Sequence, residues 1–252
     1  MVSDLTDSFY SPINGLKYAP EWAGTNVFLT CLPVEDCCDQ LFSEELDCIA
    51  GVAELRRKTF ASGRVCARAS LAEAGLPAVA LPQAADGSVR WPEGVIGSLS
   101  HTNEWAVSAI AVCAMTEAIG LGVDLERIQP LETGVLKLIA TRAERAELAQ
   151  AGNTRWHSVA LFSMKESIYK CLRRSYGRFI EFQEVEILEL AGGRPRVRFR
   201  SDALKQQFDP AQLELRIAVT PEHVFTLAWL RQSCEGTESA LSGQPPHGSA
   251  SD

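Results

Sequence analysis

The segment Gly120-Leu-Gly-Val-Asp124-Leu-Glu126 sets two carboxylates two positions apart. On a strand, side chains alternate, so Asp124 and Glu126 share one face while Val123 and Leu125 take the other. Two carboxylates on one face repel and attract a cation. Their oxygens suit hard Mg²⁺, which combines one or two protein carboxylates with substrate phosphates. An exposed edge strand with solvated acids accounts for the same pattern. A second segment, Phe162-Ser-Met-Lys165-Glu166-Ser-Ile-Tyr169-Lys170, has helical spacing. At ~100° per residue Leu161, Met164, Ile168, Cys171 and Leu172 form an apolar stripe, and Glu166, Lys170 and Arg173 gather on the far side. Glu166 and Lys170 also suit a surface ion pair of a few tenths of a kcal/mol. Lys165 lies beside the stripe, so its ammonium needs a specific partner or snorkels to water. If a metal site lies over this helix, Glu166 becomes a third carboxylate ligand or a general base, and the two lysines neutralise phosphate.

Two further clusters can handle phosphate. Ser98-Leu-Ser100-His101-Thr102 follows a Gly-rich stretch. Its Ser-His pair can donate to a phosphate, or it is a turn with a locally bonded hydroxyl. A Ser-His-Asp triad is disfavoured, because Ser100 and His101 point apart on a strand and no serine sits in a G-x-S-x-G elbow. Arg56-Arg57-Lys-Thr-Phe60-Ala-Ser-Gly63-Arg64-Val-Cys-Ala-Arg68 carries the other cluster. On a continuous helix Arg57, Arg64 and Arg68 fall within ~40° of one another, with Arg56 about one side chain away. Residues 51–74 hold five bases and two acids. Arginine clusters bind phosphate bidentately. The alternative is a solvated basic face paired with the acids of residues 35–47.

The elements that must position these residues are legible in outline. Residues 26–32 read as a strand, and 43–75 as helical with a break near Gly63. Residues 76–98, rich in Pro and Gly, read as loop. Strands are expected at 105–115 and 120–128, the second ended by Pro130. Thr141 caps a helix over 141–151, with Glu144 completing a capping box. A longer helix spans 157–174. Strands follow at 184–190, 196–200, 214–220 and 224–230. Residues 235–252 are mostly Gly, Ser, Ala, Pro and acids, the composition of a disordered tail. Both halves show a long helix with a polar stripe beside strands, which hints at an internal duplication.

Composition bounds the function. Of 252 residues, 46% are hydrophobic and 22% charged, which supports a folded core. Mean hydropathy is −0.02, and no apolar run approaches the roughly 20 residues of a membrane helix. Residues 1–10 carry Asp4 and Asp7 and no base, unlike a secretory signal. The net charge of −8 is concentrated: residues 1–50 hold nine acids and one base, while the other 202 balance at 23 of each sign. Nucleic acid and membrane are therefore not expected partners, and a metal-dependent nuclease using the same acids is disfavoured. A small anion can still bind a local basic cluster. Eight cysteines without a C-x-x-C pair argue against zinc and fit reduced thiols in the cytoplasm.

The motifs run in a fixed order: R-x(3)-F-x-x-G-R-x-C-A-R, W-P-x-G-x-x-G-S-L-S-H, G-V-D-L-E and F-S-M-K-E-S-x-Y-K, the last followed by Arg178-Phe-Ile-Glu-Phe182. Together, over about residues 43–230, they resemble the 4′-phosphopantetheinyl transferases, in particular the larger monomeric type typified by the enterobactin-synthesis enzyme. The G-x-D-x-E and F-S-x-K-E-x-x-x-K motifs are specific as a pair. The resemblance implies Mg²⁺-dependent transfer of phosphopantetheine from coenzyme A to a serine of an acyl or peptidyl carrier protein, releasing adenosine 3′,5′-bisphosphate. It implies an α+β fold of two pseudo-symmetric halves, 1–116 and 117–234, with the site in the cleft between them. By position, Asp124, Glu126 and Glu166 match metal-site acids, and Lys165 and Lys170 match helix lysines near the diphosphate. Arg56 and Arg64 match bases for coenzyme A phosphates. Ser100 and His101 match the segment at the nucleotide end, with His101 near the 3′-phosphate. Relatives usually carry a base in the loop before W-P, where this chain offers only Arg90. The alternative is a non-catalytic module that binds coenzyme A or a carrier. Carriers are often acidic around their serine, so the acids of residues 1–50 are expected to face away from the docking surface. Reversing the charges of Glu44 and Glu45 should then leave carrier affinity nearly unchanged.

Overall fold

A computed structural model describes residues 26–152, 155–190 and 195–232. The expected tail at 235–252 lies outside the described residues. The first three-stranded antiparallel sheet has β3 (Trp105–Val112) between β1 (Val27–Pro33) and β2 (Val95–His101). Ala106 and Ser108, where the central strand meets the helix, are small and fully buried. A long helix can therefore lie close. On that helix, α2 (Glu54–Glu73), Cys66 donates to the carbonyls of Thr30 and Ala106, and Ser70 to that of Ser108. Ahead of α2 stands a single turn, α1 (Ser43–Leu46).

The second sheet runs β4 (Ala118–Arg127), β8 (His223–Arg231), β7 (Leu213–Val219), all antiparallel. Between β4 and β7 the chain makes α3 (Thr133–Ile139), α4 (Arg142–Gln150), α5 (Arg155–Tyr176), a ribbon of β5 (Val185–Leu188) and β6 (Arg196–Phe199), and α6 (Asp202–Gln207). Val107 and Ala109 of the first sheet share one apolar core with Val123, Leu125, Phe225 and Leu227 of the second. The two sheets also meet along β2 and β4, where the Val123 N–H donates to Ser98 Oγ at 3.0 Å. The fold is α+β.

A repeated device marks the two halves. Glu45, in α1, is fully buried. It accepts from the N–H groups of Phe42 and Leu81 and from Arg68 of α2 at 2.7 Å. Glu144, in α4, accepts from the N–H groups of Thr141 and Ile187 and from Lys165 of α5 at 2.8 Å. In each half a short-helix glutamate caps its own helix, neutralises a cation of the long helix and holds the segment that follows it. Removing one partner of such a buried pair costs about 3–5 kcal/mol, because the other charge is stranded.

Several expectations change. The α2 helix runs unbroken through Gly63, and the expected loop over 76–98 ends early, since β2 begins at Val95. Neither α3 nor α6 is announced by strong periodicity. Glu45 is not a surface acid, so reversing it would bury an unpaired charge.

The α5 helix seats on β4 through glycine. The apolar stripe of α5 is buried as its spacing requires, and Ser163 and Ser167 bond Thr226 of β8. A Cβ on Gly122 would stand 1.9 Å from the Ser167 carbonyl oxygen, and one on Gly120 would stand 2.6 Å from that of Cys171. The obstructing atoms are helix backbone, so neither can swing aside. Gly122→Ala should destabilise the fold by roughly 3 kcal/mol or more, read as a lower denaturant midpoint. An unchanged midpoint would show that α5 does not lie this close.

Candidate active site

A cleft of about 1050 Å³ lies between the halves. One wall comes from α2 (Arg56, Phe60, Arg64), the turn region 83–97 and β2 up to His101. The other comes from α5 (Tyr169, Lys170, Arg173, Arg174) and the following Arg178 and Phe179. The lining is strongly cationic although the chain is net acidic.

At one end of the cleft the two halves are tied through Asp124. The close seating of α5 brings the Lys170 ammonium 2.7 Å from Asp124 Oδ1, 3.2 Å from Ser100 Oγ and 3.1 Å from the Val123 carbonyl. Ser100 donates to the same Asp124 Oδ1 at 2.8 Å. Asp124 is 3% exposed, and its second oxygen, Oδ2, is buried with no hydrogen-bond partner. Strand alternation puts Glu126 on the same face of β4. Burial, then the charge of Asp124, pushes its carboxyl up to about 7, with Glu166 adding to the rise and Lys170 opposing it. Burial also raises Glu166, against the pull of Lys170 and with a further push from Asp124.

The three acids are thus electrostatic neighbours. Among the described residues, however, no three acidic, histidine or cysteine side chains form a ready-made metal cluster. Asp124 spends one oxygen on Lys170 and Ser100. Lys170 in turn bonds Asp124 across the elements instead of forming the surface ion pair with Glu166.

The remaining sequence candidates divide between cleft and core. Arg56 meets His101 at 3.3 Å, Nη1 to Nε2. Crowding of the ring by the cleft walls, then the Arg56 charge, lowers the His101 pKa. Arg64 is 5% exposed. Its Nε donates to the Leu81 carbonyl at 2.6 Å, and its guanidinium lies 4.1 Å from the Phe60 ring centre. Burial lowers its pKa to about 10, which leaves it charged at neutral pH. Arg90 is exposed on the cleft lining. Lys165 does not belong to this group. Its ammonium is buried and donates to Glu144, the Ile139 carbonyl and the Phe182 carbonyl. One residue along a helix turns a side chain by about 100°, so Lys165 faces the α4 side while Glu166 faces β4.

Other cleft residues were less visible in the sequence. Trp91 packs so closely on Gly97 that a Cβ there would stand 2.4 Å from the indole. This explains the spacing W-P-x-G-x-x-G as a seat for the ring. Arg173 could be found from its helical register with Lys170, three residues earlier. No motif spacing placed Arg174 in the lining. No helix among the described residues is long and apolar enough to cross a membrane.

Comparison with known proteins identifies the family. Residues 44–111 match the 4′-phosphopantetheinyl transferase N-terminal domain, and residues 120–228 match the 4′-phosphopantetheinyl transferase superfamily. The chain is 37% identical over 172 residues to 4′-phosphopantetheinyl transferase Svp of Streptomyces mobaraensis, covering 67% of this chain and 68% of that protein. It is 35% identical to 4′-phosphopantetheinyl transferase Npt of Nocardia iowensis, covering 55% and 62%. It is 32% identical to 4′-phosphopantetheinyl transferase PptT of Mycobacterium tuberculosis, covering 57% and 63%. With the paired acid and helix motifs meeting at one end of a basic cleft, the chain belongs to the 4′-phosphopantetheinyl transferase family.

Proposed function

We propose that this chain transfers 4′-phosphopantetheine from coenzyme A to a serine of an acyl or peptidyl carrier protein. The observation that carries the reading is the junction of β4, β2 and α5. There a buried aspartate, two glutamates with raised pKa values and a lysine meet the end of a cleft lined with arginines. Coenzyme A is a polyanion with a diphosphate and a 3′-phosphate, and the cationic lining suits both. Arg56 and His101 would hold the nucleotide-end phosphate, with Arg64 and Arg90 adding positive charge along the cleft.

Phosphoryl transfer asks mainly for positioning and charge neutralisation. The carrier serine oxygen attacks the diphosphate phosphorus that bears the pantetheine arm. A new P–O bond forms, the bond to the adenosine 5′-phosphate oxygen breaks, and adenosine 3′,5′-bisphosphate leaves. Lys170, steered by Asp124 and Ser100, would neutralise the charge that grows on the leaving phosphate. Glu166 would take the serine proton as general base. The unpartnered Asp124 Oδ2 fits a hard cation. Asp124, Glu126 and Glu166 would hold Mg²⁺, which when bound supplies Lewis acidity and charge neutralisation beside the diphosphate.

Incubation with coenzyme A, Mg²⁺ and a panel of apo carriers should add the mass of one phosphopantetheine to at least one carrier. Asp124→Asn, which keeps the shape of the side chain, should lower the rate by about 100-fold or more with coenzyme A and carrier saturating. A rate near that of the parent would remove Asp124 from the machinery, and no mass gain on any carrier would count against transfer itself.

Glu126 makes a pH prediction. Its pKa rises from 4.5 unfolded to about 7 folded. Between those values the folded state holds the extra proton, so the fold loses stability as pH climbs through that window. Glu126→Gln should therefore melt higher than the parent at pH 8 without divalent cations, by roughly 3 °C or more, and the gap should close by pH 4. An equal gap at both pH values would contradict the assignment.

A further inference from the structure

Two acids stand among the cleft's cations, Asp86 and Glu93. A carboxylate in a cleft suited to a polyanion weakens binding unless it serves another end. Asp86 lies at the tip of a tight turn whose flanks pair at Gln83 and Val89. One of its oxygens, Oδ1, accepts from the N–H and hydroxyl of Ser88 at 3.0 and 2.6 Å. Further bonds stiffen the turn: Ala84 N–H to the Ser88 carbonyl, Gly87 N–H to the Ala84 carbonyl, and the Gln83 amide to the Gly87 carbonyl. The other oxygen, Oδ2, reaches across to α5, where Arg173 meets it at 2.8 Å and also donates to the Asp86 carbonyl at 2.7 Å. The turn belongs to the first half and Arg173 to the second, and both line the cleft.

We propose that the Asp86–Arg173 pair is a positioning latch for coenzyme A. It fastens the 83–89 turn of one half to α5 of the other, and it fixes the Arg173 guanidinium on the cleft wall. This rests on the reading of the cleft as the coenzyme A site. Two bonds to one residue leave other donors of the five-donor guanidinium for a ligand phosphate. The side chain also lies 5.9 Å from the Tyr169 ring centre, one helical turn back, which limits its rotamers further. The Ser88 bonds, then Arg173, hold the Asp86 carboxyl below its usual range, so the latch is charged throughout the neutral range.

A latch and simple electrostatics give opposite signs on removal of the Asp86 charge. Deleting a negative charge beside a polyanion should tighten binding. Deleting a latch should loosen it. Asp86→Asn keeps an oxygen for Ser88 and loses only the ion pair, so it separates the two effects. Coenzyme A affinity by calorimetry and its dissociation rate by stopped flow should be compared for the parent, D86N, R173Q and the double variant. The expected result is a Kd for coenzyme A raised about fivefold or more in D86N, carried by faster dissociation. The KM for coenzyme A should rise more than kcat falls, and the KM for the carrier should stay put. The double variant should be no weaker than R173Q alone, since both single changes open the same contact, and Asp86→Glu should restore much of the loss. Unchanged or tighter binding in D86N, or losses that multiply in the double variant, would overturn the latch while leaving the transfer activity intact. A parent that neither binds coenzyme A nor modifies a carrier would overturn both readings.

Discussion

Helix α5 rests on strand β4 at a distance that no side chain permits. Gly120 and Gly122 leave the strand bare where the Ser167 and Cys171 carbonyls press against it. The polar groups at this end of the cleft follow from that approach. Lys170 reaches Asp124 because the helix is close enough, and Glu166 feels the Asp124 charge for the same reason. The serines at 163 and 167 reinforce the seat from the other side by bonding Thr226 of β8. Glycines within a strand ordinarily weaken it. Here they let a backbone pass, and the fold recovers the cost in the buried apolar stripe of α5.

The electrostatics of the site are a balance held off neutrality. Burial first, and then the nearby Asp124 charge, makes Glu126 and Glu166 hold protons more tightly than free carboxylates do. Lys170 relieves part of the repulsion, yet one buried oxygen of Asp124 stays without a donor. Buried polar atoms are seldom left in this state. The neighbouring lysine shows the contrasting design. Lys165 is fully paired with Glu144 and two carbonyls and serves the fold, much as Arg68 serves it with Glu45 in the other half. The two lysines of one motif therefore divide between the core and the cleft according to the helix face on which each falls.

This division explains what could be read in the sequence. Alternation on β4 placed Asp124 and Glu126 together, and helical periodicity placed Glu166, Lys170 and Arg173 on one side of α5. Both are local rules, and both hold. The capping box at Thr141 and Glu144 was legible too, but not the second task of Glu144 as the partner of Lys165, since that pairing crosses between elements. Both the helix motif and the resemblance put Lys165 near phosphate, whereas its ammonium is buried against Glu144 and two carbonyls. The Asp86–Arg173 contact joins residues 87 positions apart, and no spacing rule reaches that far. The two glycines of G-L-G-V-D-L-E were visible as residues, but their purpose needed the helix that lies over them.

The most direct test is a crystal structure with coenzyme A and Mg²⁺. The account expects one cation bound by oxygens of Asp124, Glu126 and Glu166 at about 2.0–2.1 Å, with the diphosphate against it and Lys170 alongside. Carboxylates that stay apart, with the diphosphate seated elsewhere in the cleft, would contradict it.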